Sequence, residues 1–260
     1  MNKPARILVA EDNRMNLELV CYMLEKLNYE YGVAEDGAQA VEEFKNNAYS
    51  LILMDCHMAG MDGFQATKEI RRIESEATDS RRIPIVAVTA NAILGDRKRC
   101  LKMDMDDYLS KPFKFQQLQD LLEKWLVTEN HAAARSTKEQ NVENVASESD
   151  AILVDLQSMG GVFNSPEMIE KLIQTYLSQA PIYMQDIRSA TDSNDMDKMA
   201  FAAHALKSSS AFLGVHSVAK TCNELEKVRL GKEELSVQYL VSRLTSEFSA
   251  AVDALRNYES

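Results

Sequence analysis

The stretch Leu51-Ile52-Leu53-Met54-Asp55-Cys56-His57-Met58 decides the fold, because four apolar residues run directly into a carboxylate. A run this short reads as a strand buried on both faces. The figure recurs along the first half of the chain. Residues 7–10 stop at Glu11 and Asp12, residues 83–88 stop at Thr89, and weaker runs lie at 31–34 and 108–109, the last followed by Lys111 and Pro112. Between the runs the apolar spacing is helical, with Leu17, Val20, Leu24 and Leu27 on one face and Phe115, Leu118, Leu122 and Trp125 on another. Five βα units ending near residue 126 predict an α/β domain with a doubly wound parallel sheet and helices on both sides.

Functional side chains of a parallel sheet collect outside the carboxyl ends of its strands. Here those ends carry Glu11, Asp12, Asp55, Thr89 and Lys111, which are expected to share one pocket. Any one of the acids could simply cap the helix after it, but together they have a common chemistry. Three packed carboxylates repel one another unless a cation such as magnesium sits among the oxygens. A carboxylate is also a nucleophile toward phosphorus, so Asp55 can form an aspartyl phosphate. Lys111 then offers a point charge to one phosphoryl oxygen, and the Thr89 hydroxyl a hydrogen bond to another.

Over residues 127–150 the periodicity stops, and polar residues with five acids against two bases predict a flexible linker between domains at 1–126 and 151–260. Beyond it the apolar periods are helical throughout: Met168, Leu172, Tyr176; then 182–187; Met199, Leu206, Leu213; and 235–255. This predicts an all-α antiparallel bundle. At about 100° per residue, His204 falls roughly 200° from Leu206 and is expected to point outward, exposed. Lys207, three residues on, lies on the same side and can reach a group attached to the imidazole. Ala203, Ala205, Ser208 and Ala211 are small and leave a flat approach for another protein. A neutral imidazole is a competent nucleophile, and a nearby ammonium steadies incoming phosphoryl charge. A lone surface histidine is more often only solvated, and His131 in the linker and His216 at a predicted helix start are read as structural.

Larger strings carry a family resemblance. Val9-Ala10-Glu11-Asp12-Asn13, Leu53-Met54-Asp55-Cys56-His57-Met58 with Met61-Asp62-Gly63-Phe64, Val88-Thr89-Ala90-Asn91 and Asp107-Tyr108-Leu109-Ser110-Lys111-Pro112-Phe113 closely resemble the motifs of response-regulator receiver domains. The resemblance implies a flavodoxin-like sheet in the order 2-1-3-4-5, with Asp55 as phosphoacceptor. It implies magnesium held through Asp12, Asp55 and the backbone carbonyl of His57, with Glu11 assisting through water. It also implies that Thr89 and Tyr108 form the switch pair that moves on phosphorylation. Two positions depart from the pattern: Ala59 stands where a proline is usual, and Asp104 stands where a glycine is usual. The latter asks only for an Asp in the left-handed conformation. The His57 imidazole is read as uninvolved, since its neighbours are hard oxygens. In the second half, His204-Ala205-Leu206-Lys207-Ser208-Ser209-Ser210 with Gly214 resembles the signature of histidine phosphotransfer domains, with His204 as phosphoacceptor and Ser208 where glycine is common.

The order receiver, linker, phosphotransfer bundle resembles the tail of hybrid sensor kinases, and an ATP-binding core is not found in the sequence. The expected function is a phosphorelay: Asp55 accepts from a sensor histidine kinase, and His204 exchanges with receiver aspartates, ending on a downstream response regulator. A net charge of −11 argues against a nucleic-acid partner, which would need clustered cations. With no apolar run of signal-peptide or membrane-spanning length, the chain is expected to be cytoplasmic. Cys21, Cys56, Cys100 and Cys222 have no paired spacing and are expected to be reduced and mostly buried. Two other functions compete with the relay. A haloacid-dehalogenase-type phosphatase would need a second Asp two residues after Asp55, where His57 stands. A scaffold that docks without phosphorylation would need none of these groups.

Overall fold

The computed structural model describes residues 5–77, 82–89, 100–126, 165–229 and 235–258. The linker expected over 127–150, His131 within it, and the start of the second domain at 151–164 lie outside the described residues, as do Ala90 and Asn91. In chain order the first half holds β1 (Arg6–Ala10), α1 (Arg14–Lys26), β2 (Glu30–Ala34), α2 (Gly37–Asn46), β3 (Leu51–Asp55), α3 (Gly63–Glu76), β4 (Ile85–Thr89), β5 (Asp107–Ser110) and α4 (Phe115–Leu126). The second half holds α5 (Pro166–Asp192), α6 (Met196–Phe212), α7 (His216–Arg229) and α8 (Val237–Arg256).

The strands pair in parallel in the order β2-β1-β3-β4-β5. Every residue of β3 and β4 is buried, as expected of central strands covered on both faces. Alternation then divides the core. Ile7, Val9, Leu51, Leu53, Val86 and Val88 pack on one face with α1 and α4. Leu8, Ile52, Met54, Ile85 and Ala87 pack on the other with Val41, Phe64 and Ile70 of α2 and α3. The fourth strand begins two residues later than its apolar run, at Ile85. Ile83 is instead tied to α3, its amide donating to Glu74 and its carbonyl accepting from Arg71.

Special backbone positions are filled as their chemistry requires. Asp104 has φ of 62°, the left-handed conformation expected there, and Gly60 has φ of 72°. Gly63 opens α3 against the end of β3, where a Cβ would lie 2.0 Å from the Asp55 carbonyl oxygen. No other residue allows that approach.

In the second half, three-residue connections between α5 and α6 and between α6 and α7 force consecutive helices to double back into a bundle. Met168, Leu172, Tyr176, Met199, Leu206 and Leu213 are all buried, and the Tyr176 hydroxyl meets Ser210 Oγ at 2.9 Å. His216 starts α7 as expected. The bundle core is continuous with the α1 and α4 side of the sheet. Phe113, just after β5, meets Phe212 at the end of α6 edge-on, with ring centroids 5.4 Å apart. Thr175 donates to Glu18 of α1 at 3.1 Å, and Lys171 lies 3.7 Å from the same carboxylate. Among the described residues no helix is long and apolar enough to cross a membrane. None of the four cysteines forms a disulfide among the described residues; Cys56, Cys100 and Cys222 are buried, and the fold brings the first two to 3.9 Å between sulfurs despite their distance in sequence.

Candidate functional site

The sheet gathers Glu11, Asp12, Asp55, Thr89 and Lys111 at one end, as the strand-end reading requires. After β1 the chain turns through Glu11 and Asp12 to Asn13, whose side chain caps α1 by accepting from the amides of Met15 and Asn16. Asp55 closes β3, and its Oδ1 accepts the His57 amide at 3.0 Å. Asp12 Oδ2 accepts the Ala59 amide at 2.9 Å. Lys111 follows β5 and donates to both Asp55 Oδ2 and Glu11 Oε2 at 2.5 Å, with its side chain only 2% exposed. Thr89, buried, ends β4, and its carbonyl accepts the Lys111 amide at 2.7 Å. Tyr108 is half-buried on β5, paired with Ala87.

Three acids share one buried cation, and their proton affinities register the imbalance. Burial pushes Glu11 up to about 8 in spite of Lys111, with the Asp55 charge adding to the rise. Burial also lifts Asp12 to about 6, again with help from Asp55. For Asp55 burial acts in the same direction, but Lys111, His204 and the His57 amide outweigh it and hold the carboxyl below the usual range. Lys111 loses solvation, yet Asp55 and Glu11 together raise its pKa and keep it an ammonium. One oxygen from each of Glu11, Asp12 and Asp55 lies within 4.8 Å of the other two. A hard divalent cation fits such a donor set.

The second constellation does not stand apart from the first. His204 was expected to be exposed, but its side chain is only 12% exposed, because the face of α6 that carries it rests on the receiving end of the sheet. Its ring stacks on that of His57, with centroids 4.8 Å apart and 27° between planes. The His57 ring therefore lies where the two halves meet. One nitrogen of His204 lies within 4.8 Å of an Asp55 carboxylate oxygen. The small residues around the histidine let the two surfaces meet: Asn13 Nδ2 donates to the Ala205 carbonyl at 3.0 Å, and Asn16 Nδ2 donates to Ser208 Oγ and to Glu11 Oε1, both at 2.9 Å. The residual gap between the faces is about 10 Å³, room for about one water.

Glu226 of α7, Asn13 and Asn16 complete this arrangement; Asn13 lies in the receiver-like string and the resemblance to histidine phosphotransfer domains reaches Leu225-Glu226, but the sequence assigns none of the three a role. Glu226 Oε1 lies 3.1 Å from His204 Nδ1, and its Oε2 accepts from Lys207 Nζ at 2.6 Å. Burial disfavours the Glu226 charge, but the hydrogen bond and charge of His204, then Lys207, outweigh it and keep the carboxyl ionised. An ionised carboxylate can only accept, so Nδ1 carries a proton, and in the neutral tautomer Nε2 is the nitrogen left with a lone pair. That Nε2 is buried with no hydrogen-bond partner. Lys207 is buried against Glu226 and does not point freely beside the ring.

A family model described as the response regulator receiver domain matches residues 7–123, and one described as the Hpt domain matches residues 171–258. The chain belongs to the receiver and Hpt families. The sensor protein GacS of Pseudomonas syringae pv. syringae is 30% identical over 227 residues, 86% of this chain and 24% of that protein. The histidine-protein kinase BarA of Shigella flexneri is 27% identical over 244 residues, 93% of this chain and 26% of that protein. The chain thus spans about a quarter of the length of these curated relatives. Among solved structures, the receiver domain of sensor histidine kinase PA1611 from Pseudomonas aeruginosa PAO1 is 42% identical. It covers 47% of this chain and 98% of its own with a TM-score of 0.42, and it holds a magnesium ion in its active-site cleft. A receiver followed by an Hpt domain makes this chain a phosphorelay signalling component.

Proposed function

We propose that Asp55 and His204 are the two phosphoacceptors of this relay component, and that they exchange a phosphoryl group within one chain. The observation that carries the reading is the approach of a His204 ring nitrogen to within 4.8 Å of an Asp55 oxygen. A phosphorus atom between them would be reached by both, as an in-line transfer with a loose transition state requires. From phospho-Asp55, the Nε2 lone pair of His204 attacks phosphorus, the bond to the Asp55 oxygen breaks, and the electron pair returns to the carboxylate. Lys111, already on Asp55 Oδ2, stabilises the carboxylate that is released. Glu226 holds the Nδ1 proton and stabilises the imidazolium that results. The reverse transfer uses the same groups.

The three carboxylates fit magnesium, which would be held by Asp12, Asp55 and the His57 carbonyl, with Glu11 assisting through water. Bound there, it would supply positive charge to the phosphoryl oxygens. Thr89 is assigned a hydrogen bond to a phosphoryl oxygen, and Tyr108 is assigned to move with it. Lys207 acts through Glu226 and so positions His204. The space between the two faces is narrow, so the docked halves must part slightly to load Asp55. A sensor histidine kinase is the proposed donor to Asp55 and a separate response regulator the proposed acceptor from His204. The cytoplasm is the proposed compartment, and 1–126, 127–150 and 151–260 are the proposed receiver, linker and Hpt segments.

The test is to label the chain with a small phosphodonor and magnesium, then separate acid-stable aspartyl from acid-labile histidyl phosphate. Both species are expected in the wild type, the histidyl one is lost in His204→Gln, and both are lost in Asp55→Asn. Acid-labile phosphate that persists in His204→Gln would overturn the assignment.

A further inference from the structure

Phosphoryl transfer makes no use of the His57 imidazole, yet the fold sets it at the one point where the two domains meet. An oxygen of Asp55 and a nitrogen from each of His57 and His204 lie within 4.8 Å of one another. A single imidazole among carboxylates says little about metal preference. Two imidazoles and a carboxylate converging on one spot are a different donor set, that of a borderline cation such as zinc.

Two further features favour an ion there. His204 Nδ1 is held by the ionised Glu226 at 3.1 Å, which fixes the ring and raises the basicity of the other nitrogen, as carboxylates behind metal-bound histidines do. That other nitrogen, Nε2, is buried and has no hydrogen-bond partner. The gap it shares with Asp55 and His57 measures about 10 Å³, enough for one small species. A tetrahedral ion with bonds of roughly 2.0–2.2 Å wants its donors roughly 3.4 Å apart, so the three side chains must turn and close in to bind it.

We infer that the docked domains form an interdomain zinc site made of the Asp55 carboxylate, the His57 imidazole and His204 Nε2, with water in the fourth position. Two of its three protein ligands are imidazoles, and one comes from the other domain, which separates it from the all-oxygen set that suits magnesium. Both sites use Asp55, so the two ions exclude each other. Zinc ties up both proposed phosphoacceptors and clamps the Hpt face onto the receiver, which makes it an inhibitor of transfer. The binding claim rests on the docked geometry alone; only the inhibition rests on the relay reading.

The experiment is a titration of the metal-free full chain with Zn²⁺ in competition with a chromophoric chelator, with far-UV circular dichroism to confirm that each variant is folded. One tight equivalent is expected for the wild type, weakened about 100-fold or more in His57→Ala and in His204→Gln. Glu226→Gln, which removes only the supporting carboxylate, is expected to lose about 10–100-fold. Co²⁺ in place of Zn²⁺ should give the intense visible absorption of a tetrahedral site in the wild type and not in His57→Ala. Zinc affinity unchanged in either histidine variant, or an octahedral Co²⁺ spectrum, would overturn the site. Magnesium-dependent labelling of Asp55 in the zinc-free chain reports on the relay reading separately.

Discussion

Asp55 and His204 are prepared for the same phosphoryl group by opposite means. Asp55 stands at the end of a fully buried central strand, with a lysine fixed on its oxygen and two further acids beside it. The groups hydrogen-bonded to it come from its own domain, the site carries an excess of negative charge, and the His204 charge across the interface adds to the lowering of its pKa. His204 stands on the outer face of a bundle helix, and its own domain supplies only Glu226 and Lys207. The cover over Nε2 comes from the other domain. The aspartate is thus set by local electrostatics, whereas the histidine is set by docking.

If that contrast holds, the largest effect belongs to the aspartate itself. Asp55→Asn should abolish labelling of both sites by a small phosphodonor, since an amide is a poor nucleophile and a poorer metal ligand. Next is Lys111→Ala, which should slow phosphorylation of Asp55 about 10²–10³-fold, the usual cost of losing one charge-stabilising donor. Burial of Lys111 between two carboxylates means that the change also costs stability, and a loss of about 3 kcal/mol in urea denaturation without magnesium is expected, recovered in part when magnesium is added. At the histidine, Glu226→Gln should leave aspartyl labelling unchanged and slow formation of phosphohistidine about tenfold, read by quench-flow.

The acids of the Asp55 site also predict a pH effect. Glu11 and Asp12 hold protons up to about 8 and about 6, and a cation must displace them to bind. Magnesium affinity should therefore rise as pH increases from about 6 to about 8 and flatten above that, as followed by titration calorimetry in two buffers of different ionisation heat. The smallest effect belongs to the interface. Asn16→Ala removes hydrogen bonds to Ser208 and Glu11. It should weaken docking by about 1 kcal/mol and slow transfer within the chain roughly fivefold.

Much of this was legible in the residues. The apolar runs locate all five strands to within two positions, and the residues at the end of each run name the members of the Asp55 site. Asp104 could be assigned a left-handed conformation because it stands where the resembled family has glycine and Asp tolerates that conformation. What escaped the sequence was whatever depends on a partner far along the chain. The helical wheel places His204 correctly relative to Leu206 but knows only its own bundle, so it cannot see the receiver that covers it. Asn13 and Asn16 read as an ordinary cap and an ordinary first-turn residue; their second role exists only because Ala205 and Ser208 arrive from 192 residues away. The role of Glu226 could not be read from the sequence, since a single acid in a charged helix is usually solvated.

Whether Asp55 and His204 serve each other within one molecule is the central question. The direct measurement follows phosphate moving from Asp55 to His204 at several protein concentrations, for the wild-type chain and for an equimolar mixture of Asp55→Asn and His204→Gln chains. In the mixture only transfer between molecules is possible. An intramolecular relay predicts a wild-type rate constant independent of concentration, and at micromolar protein a mixture at least about tenfold slower, because tethering gives an effective concentration of order millimolar. A wild-type rate that rises in proportion to concentration, with the mixture matching it, would contradict it.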